Sequence, residues 1–217
     1  MNIWHDIDPS RITRKDFEAV IEISKGSKMK YELDKETGLL KLDRVLHTST
    51  HYPANYGFIP RTFADDNDPL DVLVLCSEKI EPMALVRCYP IGVISMVEGG
   101  HADDKIIAIP FGDPTYNTYK DITELPPYIF EEMKHFFQVY KNLEGKETVV
   151  NEVQGAEVAR EIIECYDYRL VNYSSFLLLP PRLCSCVCWI YSPSWRKPST
   201  GREMGPDPPL TVTRSCS

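Results

Sequence analysis

The chain has 217 residues, with 24 Lys and Arg against 32 Asp and Glu and a formal net charge of −8. Five basic residues against two acidic ones give residues 174–217 a net of +3, so residues 1–173 carry −11, and so acidic a body argues against nonspecific nucleic-acid binding. No apolar run approaches the roughly 20 residues of a membrane helix, the N-terminus lacks a basic-then-apolar leader pattern, and Cys76, Cys88 and Cys165 have no metal spacing and read as reduced, buried thiols, all of which predicts a cytoplasmic protein with no membrane partner.

The first strand-like run lies near 18–23 and places Glu22 inside Val20-Ile21-Glu22-Ile23, where an unpaired charge is costly to bury. The next, near 29–33, alternates, so that Lys30, Glu32 and Asp34 share one face and Tyr31 and Leu33 the other. That charged face is either ordinarily wet or the lining of a polar cavity. A turn at Gly38 leads to a run near 39–46 carrying Asp43-Arg44. The segment Tyr52-Pro53-Ala54-Asn55-Tyr56-Gly57-Phe58-Ile59-Pro60 is punctuated by Pro, Asn and Gly and predicts an ordered aromatic loop.

Asp66-Asn67-Asp68-Pro69-Leu70-Asp71 follows, with three carboxylates in six residues just before the buried-strand run Val72-Leu73-Val74-Leu75. Pro69 has no ladder donor and restricts Asp68, so Asp66 and Asp68 belong to a tight loop and Asp71 opens the strand. A solvated acidic turn is the commoner fate of such a run. Carboxylates forced together at a rim also suit hard divalent ions such as Mg²⁺ or Mn²⁺. Beyond a run near 84–96, Glu98-Gly99-Gly100-His101-Ala102-Asp103-Asp104-Lys105 forms a second acidic loop ahead of the apolar run 105–109. Helices are predicted over 127–141, where Ile129, Met133, Phe136 and Tyr140 recur at helical spacing, and from about Gly155 to Leu170, with Val158, Ile162, Cys165 and Tyr166 on one stripe.

Two acidic loops at the ends of neighbouring strands can converge on divalent ions, which clamp the attacking and leaving oxygens of a phosphoryl group. Lys30, Arg44, Lys105, Lys141 and Lys146 would then hold an anionic substrate against the metal-loaded cavity. Acids for metal beside bases for phosphate point to phosphoryl transfer by positioning and charge neutralisation.

These residues resemble the soluble family I inorganic pyrophosphatases. The family signature stands as Asp66-Asn67-Asp68-Pro69-Leu70-Asp71-Val72, and Glu22, Lys30-Tyr31-Glu32, Asp43-Arg44, Tyr52 to Gly57, Asp103-Asp104-Lys105 and Tyr140-Lys141 follow the family order across roughly residues 1–173. The resemblance implies an α+β, mainly β fold, a five-stranded closed barrel of the oligonucleotide/oligosaccharide-binding type flanked by two main helices. It implies hydrolysis of pyrophosphate to two orthophosphates with Mg²⁺, Mn²⁺ or Zn²⁺ being possible substitutes. Asp66, Asp71, Asp103 and Glu98 would bind metal, and Glu22 and Glu32 would hold ordered waters or a further ion. Asp68 would take the proton from a metal-bound water, and Lys30, Arg44, Tyr56, Lys105, Tyr140 and Lys141 would bind the two phosphoryl groups. Glu98 departs from the usual Asp by one methylene, and Asn67 replaces the commoner Gly. Relatives of this domain form hexamers, dimers and monomers, and a homo-oligomer, a hexamer among the options, is expected.

The alternative is a binding module that takes up divalent ions or a phosphorylated ligand without turnover; Asp68, a base that mere binding does not need, argues for the enzyme. A phosphatase for organic diphosphates lacks a visible nucleoside-reading element. Residues 174–217 hold four of the seven cysteines and seven of the seventeen prolines, and their composition predicts a disordered or adventitious tail. Cys184-Ser185-Cys186-Val187-Cys188 matches no common tetrahedral metal site.

Overall fold

Two buried faces, rather than one wet and one dry, govern the central strands. Val72, Val74, Ile106 and Ala108 pack into one core, while the intervening Leu73, Ile107 and Ile109 pack into another. Successive side chains in a strand point to opposite faces, so a strand covered on both sides reads as an unbroken apolar run.

The computed structural model describes residues 2–64, 66, 68–146 and 148–167. In chain order it contains β1 (Ile12–Thr13), β2 (Asp16–Ile23), β3 (Met29–Leu33), β4 (Leu40–Val45), β5 (Asn55–Phe58), β6 (Asp71–Val74), β7 (Leu85–Glu98), β8 (His101–Ala102) and β9 (Lys105–Pro110). Helix α1 (Tyr128–Val139), strand β10 (Thr148–Gly155) and helix α2 (Ala156–Cys165) complete it. β2 pairs with β5, β5 with β6, β6 with β9, β9 with β7, and β7 again with β2, so these strands close into the expected barrel. Within this ring only β6 and β9 run parallel.

The long strand β7 makes closure possible. Its first part pairs with β2, Cys88 opposite Phe17 and Leu85 opposite Val20, and its second part carries β10, from Gly92 opposite Gly155 to Glu98 opposite Thr148. The register with β9 slips between Pro90 and Gly92, where a proline without an N–H and a glycine permit the bend. β3 and β4 form a separate hairpin. Helix α1 buries Phe130, Met133, Phe136 and Phe137 in the first core, and α2 buries Ala156, Ala159, Ile162 and Ile163. The Ala156 N–H, one of the donors a helix start leaves unpaired, is taken up by Asp121 Oδ2 at 2.8 Å.

Several expectations need correction. Asn55–Phe58 is a fully buried strand, not a loop, because pairing on both sides overrides its turn-like composition. β10 has no counterpart in the sequence reading, since its half-exposed mixture of Thr, Val, Asn, Glu and Gln follows neither period cleanly. Helix α2 stops at Cys165, and the stripe it buries passes through Ala159 and Ile163. Cys165 is consequently exposed and Cys76 half-buried; only Cys88 is fully buried among these three thiols. The expectations for 168–170 and 174–217 lie outside the described residues. Among the described residues no helix is long and apolar enough to cross a membrane.

Gly57 marks the tightest strand approach. A Cβ there would stand 1.9 Å from the Val20 carbonyl oxygen and 2.8 Å from Ile21 Cα, backbone atoms that cannot swing aside. Gly57→Ala should therefore lower stability by about 1–3 kcal/mol or more, read as a lower urea midpoint. Gly112→Ala, with nothing within 4 Å of the added carbon, is the matched control and should leave the midpoint nearly unchanged.

Candidate active site

The parallel register of β6 and β9 sets Asp71 directly opposite Lys105. Both open their strands, so a carboxylate and an ammonium meet at one end of the barrel. Lys105 is 2% exposed and donates to Asp71 Oδ2 at 2.7 Å and to Asp103 Oδ1 at 2.8 Å. The Tyr56 hydroxyl also donates to Asp71 Oδ2, and the rings of Tyr56 and Phe137 lie 5.6 and 5.3 Å from the ammonium. Burial disfavours the lysine's charge, yet Asp103 and Asp71 outweigh it and hold the Lys105 pKa well above its ordinary value.

These groups form one wall of a cavity of about 510 Å³. Glu98, at the end of β7, and Asp103 enter from the second acidic loop, which the Asp103 N–H fastens to the Met96 carbonyl at 2.9 Å. Tyr140 and Lys141 arrive from the C-terminal end of α1, and Lys141 pairs with Glu98. Burial depresses the Lys141 pKa, with Glu98 opposing. The first acidic loop brings Asp66 and Asp68, both exposed; the Asp68 N–H donates to Asp66 Oδ1 at 3.0 Å and Lys35 pairs with the Asp68 carboxylate. Lys30 and Glu32 reach the cavity from β3, already paired with one another.

Every candidate named from the sequence lines this cavity except Arg44 and Lys146. Arg44 lies opposite Lys30 in the hairpin, donates to Glu144 Oε1 at 2.8 Å and pairs with Asp43. Its Nη2 is a buried donor with no hydrogen-bond partner among the described residues. Lys146, also advanced as a substrate cation, is exposed and not part of the lining. Sequence reasoning passed over Trp4, Lys35, Lys41, Tyr52 and Phe137, all of which face the cavity. For Tyr52 the aromatic segment was a signal; for Trp4 no local pattern was.

The donor set is all oxygen, the chemistry of a hard divalent ion. Among the described residues no three acidic, His or Cys side chains already stand in an ion-holding arrangement, because ammonium groups have taken the carboxylates: Lys105 those of Asp71 and Asp103, Lys141 that of Glu98, Lys35 that of Asp68. The carboxylates thus fit a divalent ion by chemistry, with lysine charge beside them as the present counterweight.

The sequence pattern of the inorganic pyrophosphatase family matches residues 19–169. A soluble inorganic pyrophosphatase 2 of Chlamydomonas reinhardtii is 49% identical over 161 residues, covering 74% of this chain and 84% of that protein. A soluble inorganic pyrophosphatase of Zea mays is 48% identical over 175 residues, 81% of this chain and 80% of its own. Among solved structures, the Helicobacter pylori inorganic pyrophosphatase superposes with a TM-score of 0.72 at 39% identity, covering 77% of this chain and 99% of that one. The Thermus thermophilus enzyme gives 0.71 at 34% identity, with 78% and 98% covered. The barrel is accordingly of the oligonucleotide/oligosaccharide-binding type.

Glu22 is 8% exposed on β2, and its Oε1 accepts the Leu33 N–H at 2.7 Å. Burial raises its pKa to about 8, the charges of Asp71 and Glu32 adding to the rise and the Leu33 amide and Lys30 opposing it. The folded state therefore holds this proton up to about pH 8, whereas the unfolded chain releases it near 4.5. The stability Glu22 contributes is complete below pH 4.5 and is lost as the pH rises through about 8. In chelator, Glu22→Gln should be increasingly more stable than the parent across that window. Thermal midpoints of both proteins measured against pH decide it: a gap that does not widen means the carboxyl is not held neutral.

Proposed function

The chain belongs to the inorganic pyrophosphatase family and acts as a pyrophosphate hydrolase, and we propose that the cavity performs this reaction with Mg²⁺, the acids binding metal and the bases binding phosphate. What carries the reading is the interleaving of opposite charges around one space: buried Lys105 lies between Asp71 and Asp103, with Lys141–Glu98 and Lys30–Glu32 alongside. A pure metal store has no use for the cations and a pure anion site none for the acids, so family and geometry together favour the enzyme over a binding module.

In this reading Asp66, Asp71, Asp103 and Glu98 hold the divalent ions, with Glu22 and Glu32 at the cavity wall. Mg²⁺ bound there would offset the carboxylates, polarise phosphoryl oxygens and lower the pKa of water. Lys105 and Lys141 then exchange their carboxylate partners for phosphoryl oxygens, joined by Lys30, Tyr56 and Tyr140. Asp68 takes a proton from the attacking water at its carboxylate. The water oxygen bonds to one phosphorus, the bridging P–O bond breaks, and its electron pair leaves with the second phosphate, whose charge the lysines neutralise. The free thiols of Cys76 and Cys88 support a reducing, cytoplasmic setting. Assembly as a homo-oligomer belongs to the same reading, with sedimentation as its check.

Phosphate release from pyrophosphate should require Mg²⁺ and cease in excess chelator. Ca²⁺ should inhibit, because it occupies carboxylate sites at longer and looser geometry; undiminished turnover in chelator would remove the metal from the reading.

Asp68→Asn keeps the size of the side chain and removes the base. Turnover should fall by about 10²–10⁴-fold, the usual worth of a general base, with substrate affinity less affected. Near-parental turnover at neutral pH would take the role of base away from Asp68.

A further inference from the structure

The Asp68 carboxylate is paired with Lys35, a residue outside every motif above. Lys35 projects from the β3–β4 turn, and that turn is built to hold it. The Asp34 carboxylate accepts the N–H groups of Glu36 and Thr37 at 3.0 Å each, and the Gly38 N–H returns to the Asp34 carbonyl at 2.8 Å. Gly38 takes the left-handed φ of 72° that the turn demands.

An exposed ion pair is ordinarily worth little, since ordering a long side chain offsets the attraction. Here a third group shares that cost. The Lys35 ammonium lies 5.0 Å from the centre of the Trp4 ring, which fixes it between an indole face and the carboxylate. Trp4 itself is 6% exposed and anchored to the stem of the acidic loop. Its Nε1–H donates to the Thr62 carbonyl at 2.8 Å, and its ring stacks on Phe63 with an interplanar angle of 8°. The indole, the ammonium and the carboxylate therefore join the N-terminal segment, the hairpin turn and the acidic loop at one rim of the cavity.

We propose that Lys35, steadied by Trp4, is a positioning residue for the pyrophosphatase reaction: it clasps the hairpin turn to the acidic loop and holds the Asp68 carboxylate aimed into the cavity. This rests on the reading of Asp68 as the base. Lys35 acts through Asp68 and contributes to orientation more than to substrate affinity. Trp4 acts through Lys35, one step further out.

The experiment is a double-mutant cycle on the full chain with Mg²⁺, measuring kcat and KM for Lys35→Met, Asp68→Asn and both together. Lys35→Met should lower kcat by about tenfold or more, within the roughly 10²-fold that misplacing a catalytic group costs, while KM moves by less than about threefold. In the Asp68→Asn background it should cost nothing further. Lys35→Arg, which keeps the charge and reach, should recover most of kcat. Trp4→Leu should lower kcat by about two- to fivefold, the worth of an exposed cation–π contact, and Trp4→Phe should restore it. Equal losses from Lys35→Met in both backgrounds, an unchanged kcat, or a rise confined to KM each overturn the clasp. If Asp68→Asn alone keeps near-parental turnover, it is the base assignment that falls, and the clasp loses its object. A urea midpoint within error of the parent, expected for a half-exposed lysine, separates these outcomes from misfolding.

Discussion

Lys105 cannot give up its charge cheaply, and it cannot keep it without partners. Held almost out of water, it needs both Asp71 and Asp103, and those carboxylates need it. Breaking a buried pair by removing one member is far costlier than replacing the whole set, because an uncompensated charge stays behind. That condition ties three pieces of chain together: the first residue of β6, the first residue of β9 and the turn before it. In the proposed reading, pyrophosphate binding turns the same condition to use. Positive charge already waiting in a low-dielectric wall requires little solvent reorganisation when an anion arrives, and the carboxylates it releases are ready for cations.

The barrel supplies the rigidity this demands. Both faces of β6 and β9 are sealed, so neither strand can slide by one residue without turning an entire buried set outward. Asp71 and Lys105 inherit that fixed register. Loops contribute the remaining groups, but each is stitched to the frame. Thr62 accepts the Leu70 N–H at 2.8 Å and donates to the Ile59 carbonyl at 2.6 Å, so the stem of the acidic loop is closed by one buried hydroxyl. Rigid strands with tethered loops are how a site holds several charges within the tolerance that catalysis requires.

Much of this was legible in the sequence, for identifiable reasons. The acidic run before an apolar strand announced carboxylates at a barrel end, and Glu22 betrayed itself by interrupting an apolar run. Continuous Val and Ile runs told of strands sealed on both faces. The partnership of Asp71 with Lys105 was beyond local reading, because it depends on a parallel pairing between segments more than thirty residues apart. Gly57 looked like a turn residue and is instead a strand residue, its missing side chain making room for the backbone of β2. Lys35 and Trp4 were missed because their contact is made only when hairpin, N-terminal segment and loop have met. The tail has the composition most unlike the rest of the chain, and residues 174–217 lie outside the described residues.

The last described residues return to the first acidic loop. Asp167 bridges Thr62 in an antiparallel pair, and the Phe63 N–H donates to the Tyr166 carbonyl at 2.9 Å. The stem of that loop is thus gripped by residues more than a hundred positions further along the chain. Synthesis runs from the N-terminus, and long-range closures are slow to form. A ribosome will have made the whole acidic loop, Asp66 and Asp68 included, well before the segment that fastens it has left the exit tunnel. The stem of the acidic loop is therefore fastened late in the life of each molecule, once residue 167 is free to reach it.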